Sequence, residues 1–222
     1  MKSETERRSF TFEVRAKQDD RGRYIEGRPI VYGKETVIGE MFREEICAGA
    51  LDKADLKDVR LLVNHDTSKI PLARSRHNNK NSTMQLRVDK EGLWIRAYLD
   101  VENNAEAKAL YSAVERGDIT GMSFLFGITK ERWEDLKKEL PKRFIEEIST
   151  VVEVSAVTFP AYEDTEITAR NKEALESAKR ALESALPAVD TAGGDTEGLD
   201  SRKAESELQL LKEKVKIVGG LE

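Results

Sequence analysis

The chain has 222 residues, 39% of them apolar and 36% charged, with a net charge of -5. One substantial core with a tail, or two small domains, is the organisation this allows. The negative balance gives no support to a nucleic-acid binder, no apolar run approaches a membrane span, and one cysteine with two histidines leaves no intrachain disulfide and too few ligands for an ordinary zinc site. Reducing, intracellular surroundings are the expected setting.

Residues 1–8 are charged and have no apolar run behind them, so a flexible N-terminus without signal-peptide character is expected. Phe10, Phe12 and Val14 alternate with Thr11, Glu13 and Arg15, which predicts a strand over residues 9–17 with one buried face. Asp19-Asp20-Arg21-Gly22 reads as its turn. Residues 24–32 resume an extended pattern, with Gly27 and Pro29 arguing for an edge or bulged strand. Residues 40–48 fit a short strand or a helical turn equally well. The apolar run 59–63 predicts a strand that closes in Asn64-His65-Asp66. Ile70-Pro71-Leu72-Ala73 opens a loop or edge strand, and residues 77–82 are polar surface loop.

Residues 83–88 and 93–99 flank Asp89-Lys90-Glu91-Gly92 and carry the strongest hairpin signal in the chain. In residues 104–116, Ala107, Leu110, Tyr111 and Val114 follow helical spacing, with Asn103 or Asn104 placed to cap the start and Gly117 to end it. A strand over 122–129 is expected next, then a charged, solvated and partly helical insertion over 130–143. Residues 144–158 alternate again. After Arg170 the composition changes. Leu175, Ala178, Leu182 and Ala185 mark one helix, residues 187–198 form a Pro/Gly/Asp linker, and Leu208, Leu211 and Val215 mark a second, highly charged helix. Stripes this thin need a partner, or another copy, to cover them. Many short strands with a single strong helix exclude an ordinary βαβ arrangement and favour a β-barrel or mixed β-rich domain.

For chemistry, His65, Asp66 and His77 form no metal-ligand motif, and nothing among the plentiful carboxylates selects a glycosidase-like pair. Nucleophilic hydrolysis needs a hydroxyl, a base that is neutral near pH 7 and a group orienting that base. His77 sits in Asn/Lys loop sequence and reads as solvated. His65 is either a bland strand-end histidine or a base. Ser123, among Met122, Phe124, Leu125 and Phe126, is either a small core residue or a nucleophile. Gly117 and Gly121 before it permit tight turns, and neighbouring backbone N–H groups can form an oxyanion hole. The sequence is not Gly-x-Ser-x-Gly, so an α/β-hydrolase elbow is unsupported. Glu153, inside Val151-Val152-Glu153-Val154, must reach solvent, pair with an arginine or orient a histidine. Asp66 is the rival orienting group.

Asn64-His65-Asp66, then Gly121-Met122-Ser123-Phe124, then Glu153-Val154-Ser155-Ala156-Val157-Thr158-Phe159-Pro160-Ala161-Tyr162 resemble, in order and spacing, the HK97-type phage prohead (capsid maturation) serine proteases. The segment 12–16 adds to the likeness, which covers roughly residues 8–170. The resemblance implies a β-rich (mixed α/β), barrel-like domain over residues 9–170, akin to the herpesvirus assembly proteases, with a helical, partly flexible tail over 171–222 that associates with scaffold. It implies His65 as general base, Ser123 as nucleophile and Glu153 as the acidic third member, with no cofactor and no metal. The implied substrates are the scaffolding portion of the major capsid protein and the protease itself, with self-cleavage expected near 186–198. A homodimer is implied, with no specific nucleic acid and no membrane as partner. The implied place of action is inside the prohead in the bacterial host cytoplasm. A catalytically silent capsid-assembly or scaffolding protein on the same fold is the alternative.

Overall fold

The structure, a computed structural model, describes residues 5–10, 14–38, 40–158 and 172–186. The chain divides into two units, one of Met1–Lys34, Ile46–Glu131 and Ile145–Asp164, the other of Glu35–Glu45, Arg132–Phe144 and Thr165–Glu222.

Within the first unit, strands β2 (Arg15–Asp19), β3 (Gly22–Val31), β8 (Met84–Asp89) and β9 (Gly92–Tyr98) form an antiparallel sheet in the order β2-β3-β9-β8. The register of β3 on β9 shifts between Gly27 and Ile30, the bulge that Pro29 demands because it has no N–H for the ladder. The β8–β9 hairpin turns as its sequence predicts. Gly92 is obligatory there: its φ is +132°, and a Cβ would lie 2.1 Å from the Ile30 carbonyl oxygen.

The other strands of this unit are β1 (Thr5–Phe10), β6 (Asp58–Val63), β7 (Ala73–Arg76), and most of β10 (Gly121–Glu134) and β11 (Lys142–Val157). β1 pairs antiparallel with β10, which neighbours β11. β6 runs parallel to β11 and antiparallel to β7. Helix α1 (Ala105–Arg116) begins at Asn104, whose Oδ1 accepts from the Glu106 and Ala107 N–H groups at 2.9 and 3.1 Å. It ends at Gly117, left-handed at φ 79°. Its Ala107, Leu110, Tyr111 and Val114 share one core with Ile25, Ile30, Leu93 and Ile95 of the first sheet and with Leu61, Met122, Phe124, Phe126 and Val154 of the second. Each large apolar side chain so buried contributes about 1.5–3 kcal/mol.

In the second unit β4 (Thr36–Ile38) pairs antiparallel with β5 (Phe42–Ile46). Phe42 meets Trp133 edge-on, with ring centroids 4.9 Å apart. Arg143 Nη1 donates to Glu44 Oε2 at 3.0 Å, and both side chains are buried. Helix α2 (Lys172–Ala185) carries Leu182, which is buried together with the adjacent Leu186.

Two expectations change. The strand expected over 9–17 is two strands, β1 ending at Phe10 and β2 starting at Arg15. The segment over 130–143, expected as a solvated and partly helical insertion, contains no helix: residues 130–134 and 142–143 continue β10 and β11, and 135–141 connect them. Lys130 bridges to Glu146 at 2.7 Å, and Arg132 lies over the Phe144 ring. The linker over 187–198 and the second tail helix lie outside the described residues. Among the described residues no helix is long and apolar enough to cross a membrane.

Candidate active site

The site is built where β6 ends beside β11. The parallel register sets Arg60 opposite Glu153, Leu62 opposite Ser155 and Val63 opposite Ala156. Beyond Val63 the Asn64 N–H donates to the Ala156 carbonyl at 2.9 Å, and the chain then leaves the strand. Asn64 and His65 both lie in the left-handed region, at φ 52° and 57°. Asparagine and histidine are among the non-glycine residues found most often in that conformation, which remains uncommon for either. The His65 N–H donates to Ser155 Oγ at 3.1 Å.

This backbone aims the imidazole inward. His65 Nδ1 is hydrogen-bonded to Glu153 Oε1, and His65 Nε2 lies 2.5 Å from Ser123 Oγ. The ionised carboxylate only accepts, so the network assigns the proton to Nδ1 and leaves the Nε2 lone pair facing the serine hydroxyl. Ser123 has no exposed surface, and the His65 and Glu153 side chains retain 12% and 3%. A carboxylate buried that deeply requires partners on both oxygens. The second oxygen, Oε2, accepts from Ser155 Oγ at 2.7 Å.

The three residues singled out in the sequence thus lie in one hydrogen-bonded chain. The rival orienting group does not join it in that role: Asp66 Oδ1 accepts from the Ser68 N–H and Oγ at 3.0 and 2.6 Å in an exposed turn. His77 is an exposed loop residue whose N–H donates to the Lys57 carbonyl. Ser123 is the third residue of β10, opposite Ser9 of β1 and within the strand expected over 122–129. Sequence reading missed Ser155. Its signal was available, because residues two apart in a strand share a face and Ser155 stands two after Glu153. Among the described residues no His/Cys/Asp/Glu group is arranged to hold a metal.

A hydroxyl, an imidazole and a buried carboxylate joined in that order are the working parts of a serine hydrolase. Residues 10–180 match the family described as caudovirus prohead serine protease, and the chain belongs to that family. It is thereby a protease of phage capsid maturation, with the procapsid and its proteins as its setting. Among solved structures, the bacteriophage T4 capsid assembly protease is similar at 12% identity and a TM-score of 0.35, over 68% of this chain and 98% of that one. No curated protein matches.

Proposed function

We propose that the chain is a serine endopeptidase that cleaves the scaffolding portion of the major capsid protein, and itself, through an acyl-enzyme. The observation that carries this reading is the continuous contact from Ser123 Oγ through the His65 ring to Glu153. In the reaction His65 Nε2 takes the Ser123 proton as Oγ attacks the peptide carbonyl. Glu153 stabilises the imidazolium through Nδ1–H. His65 then protonates the leaving amine, and the same base activates the water that hydrolyses the ester. Backbone N–H groups stabilise the oxyanion.

The protease part in this reading is residues 9–170, on a barrel-like frame of the herpesvirus assembly type. The N-terminal residues 1–8 are an appendage, and residues 171–222 engage scaffold and are trimmed near 186–198. Pairing of two copies belongs to the same reading.

Co-expression with the cognate capsid protein tests it. Truncation of the capsid protein is expected with the unaltered chain and is lost with Ser123→Ala and with His65→Ala. Truncation that persists in both variants overturns the assignment of these residues; no truncation with the unaltered chain favours the silent assembly protein. Intact-mass spectrometry compares the tails of the unaltered chain and Ser123→Ala, and identical tails refute self-cleavage.

A further inference from the structure

We infer that Ser155 is a positioning residue of this site, holding the Glu153 carboxylate to the backbone of the very histidine that the carboxylate orients. The inference rests on the reading of His65, Ser123 and Glu153 as the catalytic set. Ser155 is fully buried in β11, on the same face as Glu153. Its Oγ lies 3.1 Å from the His65 amide nitrogen and 2.7 Å from Glu153 Oε2. The amide can only donate, so Oγ accepts from it; the carboxylate can only accept, so the hydroxyl proton points at Oε2. The direction of every bond is determined. The ring closes as His65 N–H to Ser155 Oγ, Ser155 O–H to Glu153 Oε2, and Glu153 Oε1 to His65 Nδ1–H.

The closure matters because each member has freedom that damages the reaction. A glutamate has three side-chain torsions, and one bond to a ring nitrogen does not hold both its oxygens. His65 occupies a left-handed backbone conformation that is uncommon for any residue other than glycine. Ser155 restrains both at once. Removing the hydroxyl leaves an N–H and a carboxylate oxygen without that partner in a buried site, where each keeps its desolvation penalty. The Nε2 lone pair then no longer stays on Ser123 Oγ.

The test compares Ser155→Thr with Ser155→Val in the full chain, with Ser155→Ala alongside. Threonine and valine have the same shape and share any crowding, so they differ in the hydroxyl alone. The first readout is the low-field proton resonance of His65 Nδ1–H, recorded in a His77→Asn background so that one imidazole remains. It is expected unchanged in Ser155→Thr and lost or moved upfield in Ser155→Val. The same resonance in both variants overturns the inference, whether or not the protein cleaves anything. The second readout is the rate at which a fluorophosphonate labels Ser123. It is expected to stay near the unaltered rate with threonine and to fall about 10- to 100-fold with valine and alanine, the usual consequence of small misplacements of reacting groups. Equal labelling of the threonine and valine variants likewise overturns it. A chain that is labelled no faster than Ser123→Ala overturns the catalytic reading itself, while the resonance still decides whether Ser155 orders the pair.

Discussion

Asn64 and Thr158 are joined twice: Asn64 Nδ2 donates to Thr158 Oγ1 at 3.1 Å, and the Thr158 N–H donates to Asn64 Oδ1 at 3.0 Å. The clasp ties the end of β6 to the end of β11 directly before His65. Replacing Asn64 by glycine keeps the left-handed conformation available and removes both bonds, and is expected to lower stability by about 1–2 kcal/mol. Asn64→Ala adds the left-handed strain of an ordinary residue and is expected to cost about 1 kcal/mol more. Urea unfolding of the two variants measures the difference. Equal values mean that the conformation at Asn64 carries no strain.

Glu153→Gln keeps the shape of the side chain but presents an amide to an imidazole whose tautomer the carboxylate had set. By analogy with carboxylate-to-amide changes in serine proteases, kcat is expected to fall by about 10⁴-fold with KM little altered. Steady-state kinetics on a scaffold-derived peptide checks this. A loss confined to KM contradicts a role in orienting His65.

β1 sets Ser9 beside Ser123 and covers one side of β10. Deleting residues 1–10 uncovers a row of N–H and C=O groups along a strand rich in Met122, Phe124 and Phe126. Exposed edges of this kind pair with other chains. The truncated protein is expected to self-associate, seen as a rise in weight-average mass by light scattering. An unchanged mass means that the β10 edge is protected in some other way.

Asp89 carries the pH dependence that can be assigned with a sign. Arg28 grips it with both Nη atoms, at 2.6 and 3.0 Å. That hydrogen-bonded pair is the largest cause of a carboxyl pKa lowered from 3.8 to about 2. A lowered folded-state value stabilises the fold above the unfolded value, and that contribution is lost as pH falls from 3.8 through about 2. The pair keeps some solvent contact, so its worth is about 1 kcal/mol, less than the shift alone implies. Asp89→Asn is expected to be less stable at pH 7 and to lose less stability between pH 4 and pH 2. Thermal melts across that range test it; parallel curves for the two proteins refute it.

The buried Glu44–Arg143 pair of the second unit makes a different prediction. Removing one partner takes an ion-pair hydrogen bond from the other buried charge, and such a loss costs about 3–5 kcal/mol in comparable pairs. Arg143→Met is therefore expected to loosen the β4–β5 hairpin, and Arg143→Met with Glu44→Leu to recover much of that loss. Amide exchange over residues 36–46 is the measurement. Faster exchange in the double variant than in the single one contradicts the pairing argument.

The parts of this protein written locally in its sequence are those decided by near neighbours. Alternation in β3, β8, β9 and β11, the turn ending at Gly92, and the Asn104 and Gly117 ends of α1 all depend on residues a few positions apart. The residue types for a hydrolytic site were also visible: one strand-end histidine, one serine among aromatics and one glutamate in a valine run. What tertiary structure decided is who meets whom. Parallel pairing of β6 with β11 follows no local pattern, yet it carries the His65 backbone to Ser155 and its ring to Glu153. It also decided between Asp66 and Glu153. The adjacent carboxylate turns to Ser68, whereas the distant one is buried, and its desolvation is offset only by partners such as the imidazole and the Ser155 hydroxyl. The strand ends within the charged stretch over 130–143 were hidden for a related reason, since a contact such as Lys130–Glu146 joins strands that a one-dimensional pattern cannot align. Periodicity tells each residue which way to face, while register, formed between segments far apart in the chain, decides what it faces.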